Sequence, residues 1–213
     1  MADSALPLTG IIDYQAGNAR SVQRALSFLG VPNRMLATPA DLEGVDRIIL
    51  PGVGAAGSTM RYLEEAGWPA ALRPLIAEGD MPFLGICVGL QVLFEASEEQ
   101  DAGCLGWLPG TVRRLAGVRR VPHMGWNQVS ARDAHPFAAA IPDGEYFYFV
   151  NSYVAGETVT GAAGTTDYDG IVFASVVAQG NIMATQFHCE KSGPAGLGLL
   201  RRFASLTREE LCR

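Results

Sequence analysis

The sequence contains few cysteines and histidines. Its 213 residues include four cysteines and three histidines, and no two cysteines form a C-x-x-C pair. This spacing argues against a closed zinc site, and so few cysteines in a chain of this length do not form a disulfide framework. We therefore expect reduced thiols and a cytoplasmic location.

The chain also lacks an excess of basic residues and a long uninterrupted apolar run. Lys and Arg number 16 against 22 Asp and Glu, so the formal charge of −6 does not favour nucleic acid or an anionic membrane as partner. The longest apolar stretch is interrupted by Gly85, Gly89 and Gln91 and is too short to span a bilayer. The opening segment MADSALPLTG has no basic run, so no secretory signal is expected. A soluble protein with a small-molecule or protein partner is predicted.

Short apolar segments alternate with helical patterns through the first half. The predicted strands are LTGIIDY, VPNRMLA, VDRIILPGVG and MPFLGI, and CVGLQVLFEAS is predicted to open a helix. Strands that are apolar on both faces and separated by helices indicate a parallel sheet covered on both sides. The second half shows strand-like segments between turn residues, then a closing helix. We expect one α/β domain over residues 1–213, with a mostly parallel sheet, helices on both faces and an antiparallel extension.

A cysteine between two glycines follows the fourth predicted strand. Gly85-Ile-Cys87-Val-Gly89 has the form of a nucleophile elbow, G-x-S-x-G, with cysteine in the serine position. Larger side chains at the glycine positions would collide on such a tight strand-to-helix turn. The helix N-terminus would favour the thiolate, and the amide of Val88 would face a developing oxyanion. The alternative is a cysteine buried in the core, which is common for this residue type.

A base for this nucleophile is available far downstream. In QFHCEKS, Glu190 follows His188 by two residues, and alternate residues of an extended chain point the same way. The carboxylate could therefore hold the imidazole in the tautomer that a triad needs. The alternatives are a strand-end histidine bonded to backbone and a solvated glutamate. His135 precedes a proline in a polar loop and has no such carboxylate beside it.

Two further segments offer polar groups near the elbow. LPGVGAAG presents the backbone amides of Gly52, Val53 and Gly54, which could complete an oxyanion hole or cradle a phosphate. No Lys-Ser/Thr follows, which argues against a P-loop, and an ordinary turn before a helix is the alternative. Gln91 stands one helical turn beyond Cys87, where it could bind a polar substrate or lie on the surface.

Three of these motifs carry a family resemblance. PGVG, GICVGLQVLFEASEE and QFHCEKS resemble the class I, triad-type glutamine amidotransferases in order and spacing. IIDYQAGNARSVQRAL, VPHMGWNQV and YFYFVNSY are similar, more narrowly, to the family of glutaminase subunits of imidazole glycerol phosphate synthase. The resemblance covers nearly the whole chain, and HMGWN is its most specific part. It implies the class I glutamine amidotransferase fold and no metal or organic cofactor.

The resemblance implies a role for each matching position. Cys87 would attack the side-chain amide of L-glutamine, His188 would move the proton, and Glu190 would orient His188. The implied oxyanion hole consists of Gly52, Val53 and Val88. The implied substrate-binding residues are Gly54, Gln91, Glu98, Ser152 and Tyr153. The implied partner interface includes Asn18, Met124, Trp126, Asn127, Tyr148 and Lys191.

A partner subunit follows from the same resemblance. Ammonia would pass to a cyclase (synthase) subunit, a β/α barrel, within a heterodimer. The cyclase would join it to a phosphorylated ribulosyl intermediate, giving imidazole glycerol phosphate and an aminoimidazole carboxamide ribotide in histidine biosynthesis. Four positions depart from the family pattern, and we expect them to alter coupling rather than abolish catalysis. Gln15 stands where the family has glycine, and Cys189 stands where it has proline. Asn151 replaces a histidine, and Ala56 replaces a bulkier residue.

Two other function classes stay open from the sequence. A stand-alone cysteine hydrolase that cuts γ-glutamyl bonds would use the same fold, although the aromatic in HMGWN is better suited to docking a partner. A non-catalytic scaffold would bind a partner without reacting, although nothing would then keep a nucleophile, base and orienting carboxylate together.

Overall fold

The computed structural model describes residues 6–14, 18–131 and 135–211, so Gln15 and Cys212 lie outside the described residues. The helices are α1 (Ala19–Phe28), α2 (Ala56–Glu65), α3 (Trp68–Ile76), α4 (Val88–Gln91), α5 (Gly193–Ser205) and α6 (Arg208–Leu211). The first strands are β1 (Thr9–Ile12), β2 (Asn33–Leu36), β3 (Arg47–Gly52), β4 (Phe83–Cys87), β5 (Ala96–Ser97), β6 (Ala102–Gly103) and β7 (Thr111–Arg114). The others are β8 (His123–Ala131), β9 (Glu145–Asn151), β10 (Tyr153–Gly156), β11 (Ala162–Tyr168), β12 (Ile171–Gln179) and β13 (Ile182–Thr185).

One sheet connects the strands of these described ranges. Its order is β2-β1-β3-β4-β13-β12-β10-β7-β5-β6, while β11 pairs with β12 and β8, and β8 pairs with β9. The strands β2, β1, β3, β4 and β13 run parallel to one another. The strand β12 pairs antiparallel with β13, β10 and β11. The predicted fold class, a mostly parallel sheet with an antiparallel extension, is confirmed.

The centre of the sheet lies in the hydrophobic core. Every residue of β1, β3, β4 and β13 is buried, as expected for parallel strands covered by helices on both faces. The guanidinium of Arg47, at the start of β3, donates to the carbonyl oxygens of Phe203 and Leu206. These bonds attach the end of α5 to the sheet. None of the helices in the described ranges has the length and apolar character of a membrane span.

The helix after Cys87 is shorter than the sequence predicts. It comprises a single turn, Val88–Gln91. The carbonyl oxygens of the next two residues, Val92 and Leu93, accept hydrogen bonds from a later segment and not from a continuing helix. Leu105 donates its amide to Val92, and Leu108 donates to Leu93, at 2.9 and 3.0 Å. Val92, Leu93 and Phe94 are all fully buried. In an amphipathic helix, at least one of three consecutive residues would lie on the exposed face. The predicted helix is therefore confirmed only for its first turn, and α4 brings Val88 and Gln91 to the cavity.

Candidate active site

Cys87 ends β4 in a strained backbone conformation. Its φ of 57° and ψ of −106° lie outside the regions that L-residues ordinarily populate. A Cβ on Gly85 would collide with the carbonyl oxygen of Gly89, and a Cβ on Gly89 would collide with that of Leu50. Both glycines are therefore required by close backbone packing, as the elbow pattern predicts.

The elbow opens onto a cavity of about 400 Å³. That volume is within the usual range for small-molecule sites. The cavity lies at the carboxyl ends of β3 and β4, where active sites of parallel sheets are usually found. The expected site residues that line it are Val53, Gly54, Cys87, Val88, Gln91, Ser152, His188 and Lys191. Four lining residues were not expected there, namely Glu99, Pro122, Val150 and Asn151.

His188 and Glu190 form a fully buried pair. Nδ1 of His188 lies 2.8 Å from Oε1 of Glu190, and both side chains have no exposed surface. Since a carboxylate only accepts, Nδ1 is the donor and Nε2 is available as the base. Nε2 has no hydrogen-bond partner in the described part of the chain.

The electrostatics of this pair favour its ionised form. Burial lowers the pKa of His188, but Cys87 and Glu190 outweigh burial and raise that pKa to about 10. Burial raises the pKa of Glu190, but the bonds from His188 and Asn18 outweigh it and lower that pKa overall. The surroundings of His188 therefore favour a protonated imidazole beside the Glu190 carboxylate.

The local geometry behind the pair differs from the expected extended chain. Glu190 lies in a 3-10 turn, Cys189–Lys191, which begins directly after the extended residue His188. The backbone of His188 is held by β9, since its amide donates to the carbonyl of Tyr148 at 3.0 Å. The hydroxyl of Ser192 donates to the carbonyl of His188 at 2.6 Å and accepts from the amide of Tyr148 at 3.0 Å. The turn, rather than strand alternation, brings the carboxylate to Nδ1.

Gln91 is held by two bonds within the protein. Its Nε2 donates to the carbonyl of Tyr153 at 2.9 Å and to Oε1 of Gln186 at 3.2 Å. Both amide hydrogens are occupied, so the carbonyl Oε1 is the group that Gln91 offers to the cavity. Tyr153 contributes this carbonyl and is not among the lining residues.

Gln186 is a site residue that the sequence reasoning missed. It is fully buried, and its Nε2 lies 3.8 Å from Sγ of Cys87. The available signal was a polar side chain within the apolar segment MATQFH, close to the proposed base. A buried glutamine needs partners, and here they are the nucleophile and Gln91.

Glu98 does not reach the cavity, contrary to the expected substrate-binding role. Its carboxylate pairs with Arg113 at 3.0 Å and accepts the amide of Arg114 at 2.9 Å, on the exposed side of β7. The next residue, Glu99, lines the cavity and accepts the amide of Ala56 at 2.8 Å. Burial raises the pKa of Glu99, and the bond from Ala56 opposes that rise.

The outward face of the β8–β9 hairpin carries three of the six expected interface residues. Met124 and Trp126 are 57% and 55% exposed, and Tyr148 packs edge-on against Trp126 with ring centroids 6.1 Å apart. HMGWN lies in the strand β8. Val150, on the same outward face of the hairpin, lines the cavity. Lys191, from the 3-10 turn, is exposed and lines the cavity too.

Two expected interface residues point inward instead. Asn127 is half-buried and donates to the carbonyl of Asp167 at 2.8 Å. Asn18 is only 3% exposed and donates to Oε1 of Glu190 at 2.9 Å. Strand alternation explains Asn127, because Met124 and Trp126 occupy the opposite face of β8. The position of Asn18 at the start of α1 explains its burial beside the 3-10 turn.

Three departures from the family pattern lie in the described structure. Asn151 lines the cavity and donates to the carbonyl of Tyr153 at 3.2 Å, while its buried Oδ1 has no partner in the described ranges. Cys189 lies next to the base, but its sulfur is fully buried 3.4 Å from Oγ1 of Thr185. Burial raises the pKa of Cys189 to about 12, so this thiol stays protonated and does not compete with Cys87. Ala56 is buried and gives its amide to Glu99.

The family profile "Glutamine amidotransferase class-I" matches residues 10–205. This chain belongs to the class I glutamine amidotransferase family. Across the described ranges, no group of three or more His, Cys, Asp or Glu side chains is arranged to hold a metal ion.

Individual relatives agree with this family. The chain is 49% identical over 207 residues to the "Imidazole glycerol phosphate synthase subunit HisH" of Desulfitobacterium hafniense strain Y51, covering 95% of this chain and 96% of the relative. It is 45% identical over 198 residues to the protein of the same name from Dehalococcoides mccartyi strain ATCC BAA-2266, covering 92% and 96%. A solved structure described as "Crystal structure of glutamine amidotransferase" superimposes with a TM-score of 0.73 at 21% identity, covering 93% of this chain and 99% of that one. That structure and this class I amidotransferase share the fold.

Proposed function

We propose that this chain is the glutaminase subunit of imidazole glycerol phosphate synthase and hydrolyses L-glutamine to glutamate and ammonia. The single observation that carries the proposal is the opening of the Cys87 elbow onto the same cavity as the His188–Glu190 pair. The specific synthase is supported by relatives of that name, which match at 49% and 45% identity over more than nine-tenths of this chain.

The first half of the proposed reaction forms a thioester. Nε2 of His188 takes the thiol proton, and Sγ of Cys87 attacks the side-chain amide carbon of glutamine. The developing oxyanion is stabilised by backbone amides at Gly52, Val53 and Val88. The C–N bond then breaks, and His188 returns the proton to the leaving nitrogen, which departs as ammonia. Glu190 stabilises the imidazolium during both transfers.

The second half hydrolyses the thioester. A water molecule in the vacated position gives a proton to His188 and attacks the same carbonyl carbon. The C–S bond breaks, the thiol of Cys87 regains the proton, and glutamate is released. Gln186, whose amide approaches Sγ at 3.8 Å, is placed to stabilise the thiolate in both halves.

The cavity has groups of both charges for the zwitterionic end of glutamine. We assign the α-ammonium group to Glu99 and to the carbonyl Oε1 of Gln91, and the α-carboxylate to Lys191. These three side chains line the same cavity as Cys87. A carboxylate and an ammonium group that line one small cavity complement a free α-amino acid end, which a glutamine within a peptide chain lacks. Gly54 and Ser152 complete the proposed binding site.

We further propose that the outward face of the β8–β9 hairpin docks the cyclase subunit, a β/α barrel, in a heterodimer. Exposed aromatic and Met side chains grouped on one face are typical of partner interfaces. Val150 belongs to this hairpin and lines the cavity, so a partner seated there would lie close to the released ammonia. In this arrangement residues 1–213 act as one domain.

Reconstitution with the cyclase of the same organism tests the proposal. The complex should form imidazole glycerol phosphate from either glutamine or ammonium salts, and Cys87→Ala should abolish only the glutamine-dependent reaction. Glutamine-dependent turnover by Cys87→Ala would overturn the proposed chemistry. Vigorous cleavage of γ-glutamyl peptides by the isolated chain, with no stimulation of the cyclase, would instead identify a stand-alone hydrolase.

A further inference from the structure

We propose that Asn18 is a positioning residue of the active site, which clamps the Glu190 carboxylate against the imidazole of His188. The inference rests on the proposed function because it assigns a new member to the same catalytic machinery. It replaces the interface role that the family resemblance suggests for this residue.

Asn18 makes its contacts from a buried position. Its Nδ2 lies 2.9 Å from Oε1 of Glu190 and 3.2 Å from Nδ1 of His188, and the residue is only 3% exposed. Oε1 therefore accepts two hydrogen bonds, one from the imidazole at 2.8 Å and one from the asparagine. Two donors that converge on one oxygen fix both the distance and the direction of the carboxylate.

The orientation of the Asn18 amide follows from the charge beside it. With the amide reversed, its oxygen would face the carboxylate oxygen at 2.9 Å, and two acceptors would repel. The NH₂ group must therefore face Glu190. The N–H of His188 Nδ1 donates a hydrogen bond to Oε1 of Glu190, and Nδ2 of Asn18 donates to the same oxygen. The 3.2 Å between Nδ1 and Nδ2 is therefore a contact between two donors that share one acceptor. The Glu190 oxygen at 2.8 Å disfavours the tautomer with the proton on Nε2, because an unprotonated Nδ1 would then face a carboxylate.

The clamp is needed because Glu190 has little other support. Its second oxygen, Oε2, is buried and has no hydrogen-bond partner in the described ranges. Glu190 lies in a short 3-10 turn, which does not by itself fix a side-chain direction. Without Asn18, the carboxylate could rotate to relieve Oε2 and leave Nδ1. The imidazolium that forms when Cys87 loses its proton would then lose its counter-charge.

Among the described residues, the Asn18 side chain bonds only to the His188–Glu190 pair. It is the residue before α1, but its side chain makes no capping bond to that helix. Only its backbone carbonyl serves the helix, accepting from Ser21 and Val22. A substitution of the side chain should therefore leave α1 in place and act on Glu190.

The test compares Asn18→Ala and Asn18→Leu with Asn33→Ala in the full chain reconstituted with its cyclase. Asn33 is a matched control because its Nδ2 also makes two internal bonds, at the far end of α1 from the cavity. Two measurements are made on each variant. Steady-state kinetics give kcat and KM for glutamine, and peptide mass spectrometry gives the rate of Cys87 alkylation by iodoacetamide against pH.

Both Asn18 variants should lower kcat by about tenfold to a hundredfold with little change in KM, which is the effect of losing one hydrogen bond to a charged group in the transition state. They should also shift the Cys87 alkylation profile towards higher pH, because the thiolate loses a stabilised imidazolium. Asn33→Ala should change neither. If Asn18→Ala does not fold, the nearly isosteric Asn18→Leu, which is uncharged and cannot donate, supplies the same comparison.

Wild-type kcat and an unshifted alkylation profile in both Asn18 variants would overturn the inference. So would a loss of affinity for the cyclase with an unshifted profile, since that result would restore the interface role. A shifted profile in a chain that does not hydrolyse glutamine even as wild type would support the clamp and refute the proposed substrate.

Discussion

Gly52 and Cys87 are register partners at the carboxyl ends of the parallel strands β3 and β4. The glycine loop that follows Gly52 therefore starts directly beside the nucleophile. A Cβ at position 52 would collide with the hydroxyl of Tyr14 and lie 2.9 Å from the Cβ of Val88. The absence of a side chain at this position is what allows the loop, the elbow and Tyr14 to pack together.

The substitution Gly52→Ala should lower both stability and glutaminase kcat, because the added methyl displaces the loop or the elbow. Overpacking of this kind destabilises by about 1–3 kcal/mol. Adding Tyr14→Phe should recover part of the melting temperature, since it removes one of the two clashing groups. The control is Gly103→Ala, where an added Cβ has nothing within 4 Å. Equal effects at positions 52 and 103 in a thermal melt would contradict the prediction.

Replacing Glu190 by Gln should reduce stability in a way that depends on pH. Cys87 and Glu190 raise the pKa of His188 to about 10, although burial opposes them. A raised pKa stabilises the native state fully below the unfolded value of about 6.5, and this contribution disappears as pH approaches 10. The melting-temperature gap between wild type and Glu190→Gln should therefore be widest near pH 6 and narrow as pH approaches 10. A gap that stays constant over this range would show that His188 is not charged in the folded protein.

His123 should make the protein sensitive to acid. Its ring stacks on Tyr168 and Phe149, with centroids 4.0 and 4.8 Å away, and burial lowers its pKa to about 4 although Asp169 opposes this. A lowered histidine pKa means that stability is complete above about pH 6.5 and is lost as pH falls towards 4.

The substitution His123→Phe keeps an aromatic ring in this stack and removes the titrating group. Thermal melts between pH 4 and 7 should show a weaker pH dependence than wild type. Parallel curves for wild type and His123→Phe would assign the acid sensitivity to other groups.

Trp126→Ala should weaken binding of the cyclase without changing the chemistry of Cys87. Truncation of a central aromatic anchor removes about 2 kcal/mol or more of binding energy, which is roughly thirtyfold in Kd. Isothermal titration calorimetry measures the affinity, and iodoacetamide alkylation reports on Cys87. Phe28→Ala is the matched control, because Phe28 is 79% exposed on α1, outside the hairpin. If Phe28→Ala weakens binding as much as Trp126→Ala, the docking face lies elsewhere.

The elbow could be predicted from sequence because its constraint is local. Gly85 and Gly89 are required by backbone atoms within a few residues of Cys87, or on the adjacent strand at Leu50. Trp126 was expected at a surface from the family resemblance, and the period of two along β8 accounts for its outward position.

The errors arise where distant segments compete for the same groups. The length of α4 depends on Leu105 and Leu108, which take the carbonyls that a longer helix would need. Glu98 and Glu99 are identical in type, and only the contact of Glu98 with β7 leaves Glu99 as the one that lines the cavity. The burial of Asn18 depends on α1 packing beside the 3-10 turn. None of these contacts leaves a trace in residue spacing, so only the tertiary structure reveals them.

The pairing of β4 with β13 has a consequence for biosynthesis of the chain. Residues 83–86 of β4 lie beside residues 182–185 of β13, and His188 and Glu190 follow β13 directly. During translation the nucleophile leaves the ribosome well before the strand that must lie next to it, and such long-range strand pairing forms late. A nascent or truncated chain that ends before His188 thus carries the nucleophilic cysteine but neither the base nor its orienting carboxylate. We expect such an unfinished chain to leave glutamine intact.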